Sequence, residues 1–190
     1  YGKAKGTDDT LRWALGEGVC MTPDNCPQDG SIRDMYKPDC FKHPDTIKSE
    51  YFYCGRQDNG GVHTNSGVLN RMYSVLVDGG VYADPNSSSK TLSVTGLGFT
   101  KMTNLMWRAT NMLTSSSQFK DMSVALQTAC STSIGGKLYV PDLYSGSSTP
   151  DVSGFTISQE DCDQIDIAVV GSGMDQTSCS KFMGGNQTAI

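Results

Sequence analysis

The sequence predicts a mainly α fold whose long loops are tied by disulfides. Two observations carry this. Between residues 65 and 171 apolar side chains recur at helical spacing in four separate runs. Seven cysteines, Cys20, Cys26, Cys40, Cys54, Cys130, Cys162 and Cys179, occur with no C-x-x-C pair and no Cys/His set at zinc-finger spacing. That usage fits disulfides in an oxidising compartment better than a structural zinc site. At 190 residues the chain can build one real core. The 21 glycines and long Ser/Thr tracts add loop, while a net charge of −5 is too small to imply disorder.

The elements follow in order. Leu11, Trp13, Leu15 and Val19 suggest a short buried stretch. Residues 22–45 contain Pro23, Pro27, Pro38 and Pro44 and read as loop with at most one helical turn. From residue 65, Val68, Leu69, Met72, Tyr73 and Leu76 form a helical stripe that Gly79 and Gly80 stop. Residues 91–94 read as short and extended. A second helix is expected over 99–113, with Met102, Leu105, Met106, Ala109, Met112 and Leu113 inward. A third is expected after a cap region at Ser115, Ser116 and Ser117, with Phe119, Met122, Leu126 and Ala129 inward. Residues 137–157 are rich in Ser, Gly and Pro and read as a long loop. A fourth helix is expected from Ser158, where Ser158 and Asp161 form a capping pair, with Ile165, Ala168 and Val169 inward. The methionine-rich stripes read as core packing rather than as a binding surface. The domain reading is a short segment over 1–10, one helical domain over 11–172 and an irregular tail over 173–190.

Proximity favours the pairs Cys20–Cys26 and Cys40–Cys54; Cys130–Cys162 would join two predicted helices, leaving Cys179 over. Asn86 and Asn186 begin N-glycosylation triplets, consistent with a secreted, extracellular protein. The chain opens at Tyr1 without an initiator Met, which reads as a mature or excised segment. Scattered Lys and Arg with an acidic balance argue against a nucleic-acid partner, and no apolar run is long enough for a membrane-spanning helix.

Only two histidines are present. His43 lies in a turn-like Lys-His-Pro-Asp context and reads as a surface residue. His63 follows Asp58 and the pair Gly60 and Gly61, just before a helix. Two glycines let the backbone bend sharply, so the Asp58 carboxylate can fold back onto the imidazole and set its tautomer. An imidazolium at a helix entry can stabilise an oxyanion; on the chemistry alone, a histidine that merely hydrogen-bonds at a helix start is the commoner reading.

The stretch QDNGGVHTNSGVLN, residues 57–70, closely resembles the histidine-bearing motif of thermolysin-like zinc metallopeptidases, the gluzincin family. WALGE at 13–17 with Thr22 and Pro23 looks like the segment that follows the family's last zinc ligand. Ile32, Arg33, Asp34 and Met35, followed by Pro38 and Asp39, look like its substrate-binding arginine stretch. VTGLG at 94–98, Lys101, Met102 and Trp107 to Ala109 resemble its next helix. Residues 119–129 and 165–171 fit its last two helices. The order is consistent across residues 11–171.

The resemblance implies a helical C-terminal domain facing a zinc-bearing half across an active-site cleft. It implies that His63 donates to the oxyanion of a tetrahedral intermediate, that Asp58 orients His63, and that Arg33 binds a substrate carbonyl. The family's His-Glu-x-x-His sequence and its further Glu ligand are absent from this chain. Zinc is therefore expected only with a half carried elsewhere, as an N-terminal half or a companion chain. Glu17 remains from the family's calcium cluster, but Arg12 and Ala14 stand where carboxylates are common, which makes a full calcium site doubtful. Two function readings result. One is the C-terminal part of a secreted metalloendopeptidase acting on peptide substrates. The other is a non-catalytic extracellular binding or assembly domain, for which a leftover Cys179 offers a route to self-association.

Overall fold

The structure is a computed structural model and describes residues 11–16, 31–87, 89–140, 152–176 and 179. It divides into two compact units, residues 1–71 with 176–190, and residues 72–175.

In the first unit a 3-10 turn over Leu11–Trp13 leads into strand β1, Ala14–Leu15. Strand β1 pairs antiparallel with β2, Arg33–Asp34, in the register Ala14↔Asp34 and Leu15↔Arg33. Trp13 and Ala14 are buried, but Leu15 is 45% exposed, which corrects the expected buried stretch. In a two-residue strand successive side chains point to opposite faces, so Ala14 and Leu15 cannot both face inward. The buried Asp34 ends β2. Its carboxylate accepts from the backbone N–H of Tyr36 (2.7 Å) and Lys37 (2.9 Å), an Asx-type turn. The chain then enters a 3-10 turn over Pro38–Phe41, the single helical turn that the prolines allow. Arg71 holds this segment from the helix side: its Nη1 donates to the Tyr36 carbonyl at 2.5 Å and its guanidinium lies 4.2 Å from the Tyr36 ring centre.

Helix α1 runs Asp58–Asp78, but its first four residues are not right-handed. Asp58, Asn59, Gly60 and Gly61 have φ of 53°, 48°, 87° and 78°. They form a left-handed turn, which costs an L-residue about 1–2 kcal/mol and which Gly, Asn and Asp tolerate best. Farther along, a Cβ on Gly67 would lie 2.5 Å from the Pro44 carbonyl oxygen, so the 38–44 loop reaches the helix only because residue 67 has no side chain.

In the second unit, α1 ends at Gly79, whose φ of 88° turns the chain out of the helix. The free carbonyls of the last turn are taken by later backbone, with Leu97 N–H donating to Leu76 (2.8 Å) and Gly98 N–H to Val77 (3.0 Å). Between them lies a hairpin of β3, Gly80–Ala83, and β4, Thr91–Val94, paired antiparallel with Gly80 opposite Val94. The extended 91–94 segment was expected; β3 was not, because two glycines read as a stop rather than as the start of a strand. Helix α2 spans Phe99–Thr110, α3 Phe119–Ser131 and α4 Gln159–Ser172, and α3 packs on both α2 and α4.

Met72, Leu76, Met102, Leu105, Leu126, Ile165 and Val169 are fully or almost fully buried. Met72, Met102 and Met122 are thus core, while Met106, also expected inward, is only half-buried. Helix α2 ends three residues earlier than expected. Thr110 Oγ1 and Asn111 Nδ2 both donate to the Trp107 carbonyl (3.0 and 2.7 Å), which closes the helix, and Met112 is exposed. The cap of α3 is Gln118, whose N–H donates to the Asp121 carboxylate (2.8 Å), rather than the serine run before it. Helix α4 starts as expected: Ser158 Oγ accepts from Asp161 N–H (3.3 Å) and Ser158 N–H donates to the Asp161 carboxylate (2.8 Å). Lys101 Nζ lies 2.8 and 2.7 Å from the two Asp161 oxygens, joining α2 to α4.

Cys130–Cys162 joins α3 to α4 as expected. Cys40–Cys54 does not form, because Cys54 is bonded to Cys179 across 125 residues. Cys179 is therefore not left over for an intermolecular bond. Proximity in sequence failed here because a disulfide needs Cα atoms about 5–6 Å apart, and the fold brings residues 54 and 179 to 5.5 Å. The expected Cys20–Cys26 pair lies outside the described residues, as do Val19, Glu17 and Asn186. Asn86 is exposed on the β3–β4 hairpin.

Candidate active site

The site lies within the first unit and is built on the left-handed turn. Gly60 and Gly61 N–H both donate to the Gln57 carbonyl at 3.0 Å, closing the turn. The reversal carries Asp58 back along the helix. Its Oδ2 accepts from the His63 backbone N–H at 2.9 Å, so the carboxylate caps the right-handed part of α1. Its Oδ1 lies 2.5 Å from His63 Nδ1. The backbone hydrogen bond from His63, and then the ring hydrogen bond, hold the Asp58 carboxyl below the ordinary carboxylate value. Asp58 is thus an anion whose two oxygens fix both the backbone and the ring of His63. With Nδ1 engaged, Nε2 is the nitrogen that points away from the carboxylate, on a side chain that is 77% exposed. When the ring is charged, both nitrogens carry hydrogen, and Nε2–H can donate to a developing negative charge.

Arg33 is brought to the same turn of α1. Its Nη1 donates to Ser66 Oγ (3.1 Å), and Ser66 Oγ donates to the His63 carbonyl (3.0 Å). One hydroxyl therefore ties the guanidinium to the backbone of His63. Strand β2 supplies the other constraint, since Arg33 sits opposite Leu15 in the register. The Ser66 bridge carried no separate signal in the sequence; Ser66 was visible only as one letter of the motif.

His43 is half-buried rather than a surface residue. Burial, and next the nearby positive charge of Arg33, push its pKa down, so the neutral ring is favoured. The Pro-rich loop that looked exposed is pressed onto α1 at Gly67, which is what covers His43.

Asn65 also escaped the sequence reading. It is 94% buried, with only 6% of its surface exposed. Its Oδ1 accepts from Tyr53 N–H (2.9 Å), and its Nδ2 donates to the carbonyls of Tyr53 (2.8 Å) and Gly60 (3.0 Å).

A family model described as the alpha-helical domain of thermolysin metallopeptidases matches residues 1–140. The chain belongs to this family. The match takes in residues 57–70, Arg33, and helices α2 and α3, and it stops at residue 140, so α4 lies beyond it. A zinc metalloproteinase of Renibacterium salmoninarum is 31% identical over 140 residues, covering 70% of this chain and 23% of that protein. A thermolysin of Alicyclobacillus acidocaldarius is 36% identical over 124 residues, covering 65% of this chain and 20% of its own length. A bacillolysin of Bacillus caldolyticus is 36% identical over 124 residues, 65% and 21% respectively. The chain thus spans about a fifth of the curated relatives it matches.

Among its described residues, this thermolysin-type helical domain does not offer a zinc site of its own. Zinc needs about four ligands with His, Cys or carboxylate at its core. No group of three or more His, Cys, Asp or Glu among the described residues could hold a metal ion. At the calcium-like stretch, Arg12 and Ala14 have no side-chain oxygen to offer as a ligand; Arg12 lies over the Trp13 ring and Ala14 is buried in β1. Among the described residues, no helix is long and apolar enough to cross a membrane.

Proposed function

We propose that this chain is the C-terminal helical part of a secreted zinc metalloendopeptidase, and that it supplies His63 and Arg33 to a peptide-bond-cleaving site. The observation that carries the reading is the Asp58–His63 pair, with one ring nitrogen held by the carboxylate and the other directed outward. In this reading His63 Nε2–H donates to the carbonyl oxygen of the scissile peptide as it takes on negative charge. Asp58 keeps the ring in the donating orientation and balances its charge. Arg33, locked through Ser66, binds a substrate carbonyl by charge-assisted hydrogen bonds. Zinc and the general base belong to a partner half, in the same polypeptide or in a companion chain, and zinc there supplies the Lewis acidity that such hydrolysis requires. Disulfides and the exposed Asn86 sequon fit an extracellular setting.

The test is the rate of peptide hydrolysis by the full-length peptidase that contains this chain. Removing one oxyanion donor typically costs about 100- to 1000-fold in kcat, so His63→Ala is expected to lose that much with KM little changed. Asp58→Asn keeps the cap but loses the charge and is expected to lose less than His63→Ala. A His63→Ala enzyme within about 2-fold of wild type, well short of that loss, removes the reading.

A further inference from the structure

Resting on the reading of His63 as the oxyanion donor, we propose that Asn65 is a positioning residue for it, acting through the left-handed turn. The side chain is almost wholly buried, and each polar group has a partner: Oδ1 takes Tyr53 N–H, while Nδ2 serves the carbonyls of Tyr53 and Gly60. It is thus a strut between the 53 segment and the middle of the turn that carries Asp58. The turn needs such a strut. Asp58 and Asn59 both hold positive φ, an arrangement that persists only where its surroundings over-determine it. Gly61 packs on the Tyr53 ring, with a notional Cβ 2.7 Å from a ring carbon, so Tyr53 is the surface on which the turn rests. Without Nδ2 the Gly60 carbonyl loses its buried donor, the turn relaxes, and the Asp58 carboxylate no longer meets His63 Nδ1. Only an amide of this length fits. An aspartate would set a carboxylate against two carbonyl oxygens.

In the full-length peptidase, Asn65→Asp is expected to lower kcat about 10- to 100-fold with KM within about 3-fold, the signature of a misplaced catalytic group. His63→Ala and the double variant are measured beside it. The proposal expects the double variant to be no slower than His63→Ala alone. If His63→Ala is slow and Asn65→Asp is normal, or if the two losses multiply, Asn65 does not act through His63 and the proposal is overturned while the reading of His63 stands. If His63→Ala is normal, the reading itself falls and the proposal with it. Should Asn65→Asp fail to fold, hydrogen exchange of the wild-type chain decides. The Asn65 side-chain amide protons are expected to exchange at least ~10-fold more slowly than those of the exposed Asn59. Equal rates would overturn the proposal.

Discussion

At the scale of single residues, the turn at 58–61 shows how backbone strain is divided among side chains chosen to bear it. Gly60 and Gly61 have nearly the same φ, yet their surroundings differ. A Cβ on Gly60 meets nothing within 4 Å, whereas one on Gly61 meets the Tyr53 ring at 2.7 Å and Tyr53 Cβ at 2.9 Å. Gly60→Ala therefore carries only the left-handed penalty, about 1 kcal/mol. Gly61→Ala adds overpacking and is expected to cost about 2–4 kcal/mol. Urea unfolding of the two variants checks the difference, and equal costs would mean that Tyr53 does not sit against the turn. The QDNGGVHTNSG string made the proximity of Asp58 and His63 legible, since the two glycines signal a reversal. It did not reveal Ser66 or Asn65. A hydroxyl and an amide can bond to almost anything, so their partners depend on which segments the fold delivers to them.

Among the elements, the second unit is closed by contacts between helices distant in sequence. Lys101 and Asp161 form a nearly buried pair, with side chains 20% and 13% exposed. Burial opposes the charge on Asp161, but hydrogen bonds from Lys101 and Ser158 outweigh it and pull its pKa below the ordinary value. A depressed folded-state pKa means that the stabilisation is present above the unfolded value of 3.8 and is lost as pH falls through the lower folded value. Lys101→Ala is expected to cost about 1–3 kcal/mol at neutral pH, between the figures for surface and buried pairs. That cost should shrink as pH falls below 3.8, as thermal unfolding across pH 2–7 would show. Helix stripes at Met102, Leu105, Leu126 and Ile165 were legible because a 3.6-residue period is a local property of the chain. The ends of α2 and α3 were not, because Asn111 and Gln118 act as terminators only through hydrogen bonds that several nearby serines and threonines could equally have made.

For the whole molecule, the two disulfides that join described residues differ in reach. Cys130–Cys162 closes a span of 32 residues and Cys54–Cys179 one of 125. In the chain-entropy account these lower the unfolded state's freedom by about 3–4 and about 5 kcal/mol respectively. Cys54→Ser with Cys179→Ser is therefore expected to destabilise the chain more than Cys130→Ser with Cys162→Ser, measured by urea unfolding without reductant. Non-reducing peptide mapping should recover the 54–179 link. The longer bond also ends four residues before Asp58, so it fastens Cys179 to the segment that leads into the turn carrying His63.

What the sequence by itself determined is whatever rests on local period and local chemistry. That includes the four helices, the Ser158–Asp161 cap, the reversal before His63 and the membership of the thermolysin-type helical domain. Only the tertiary structure decided which cysteine meets Cys54, that His43 is half-buried, that residues 80–83 form a strand, and that Arg33 is locked to His63 through Ser66. The physical reason is the same in each case. These outcomes depend on which other segment is delivered to a residue, from a neighbouring strand for residues 80–83 to a cysteine 125 residues away for Cys54, and packing of the whole unit sets that.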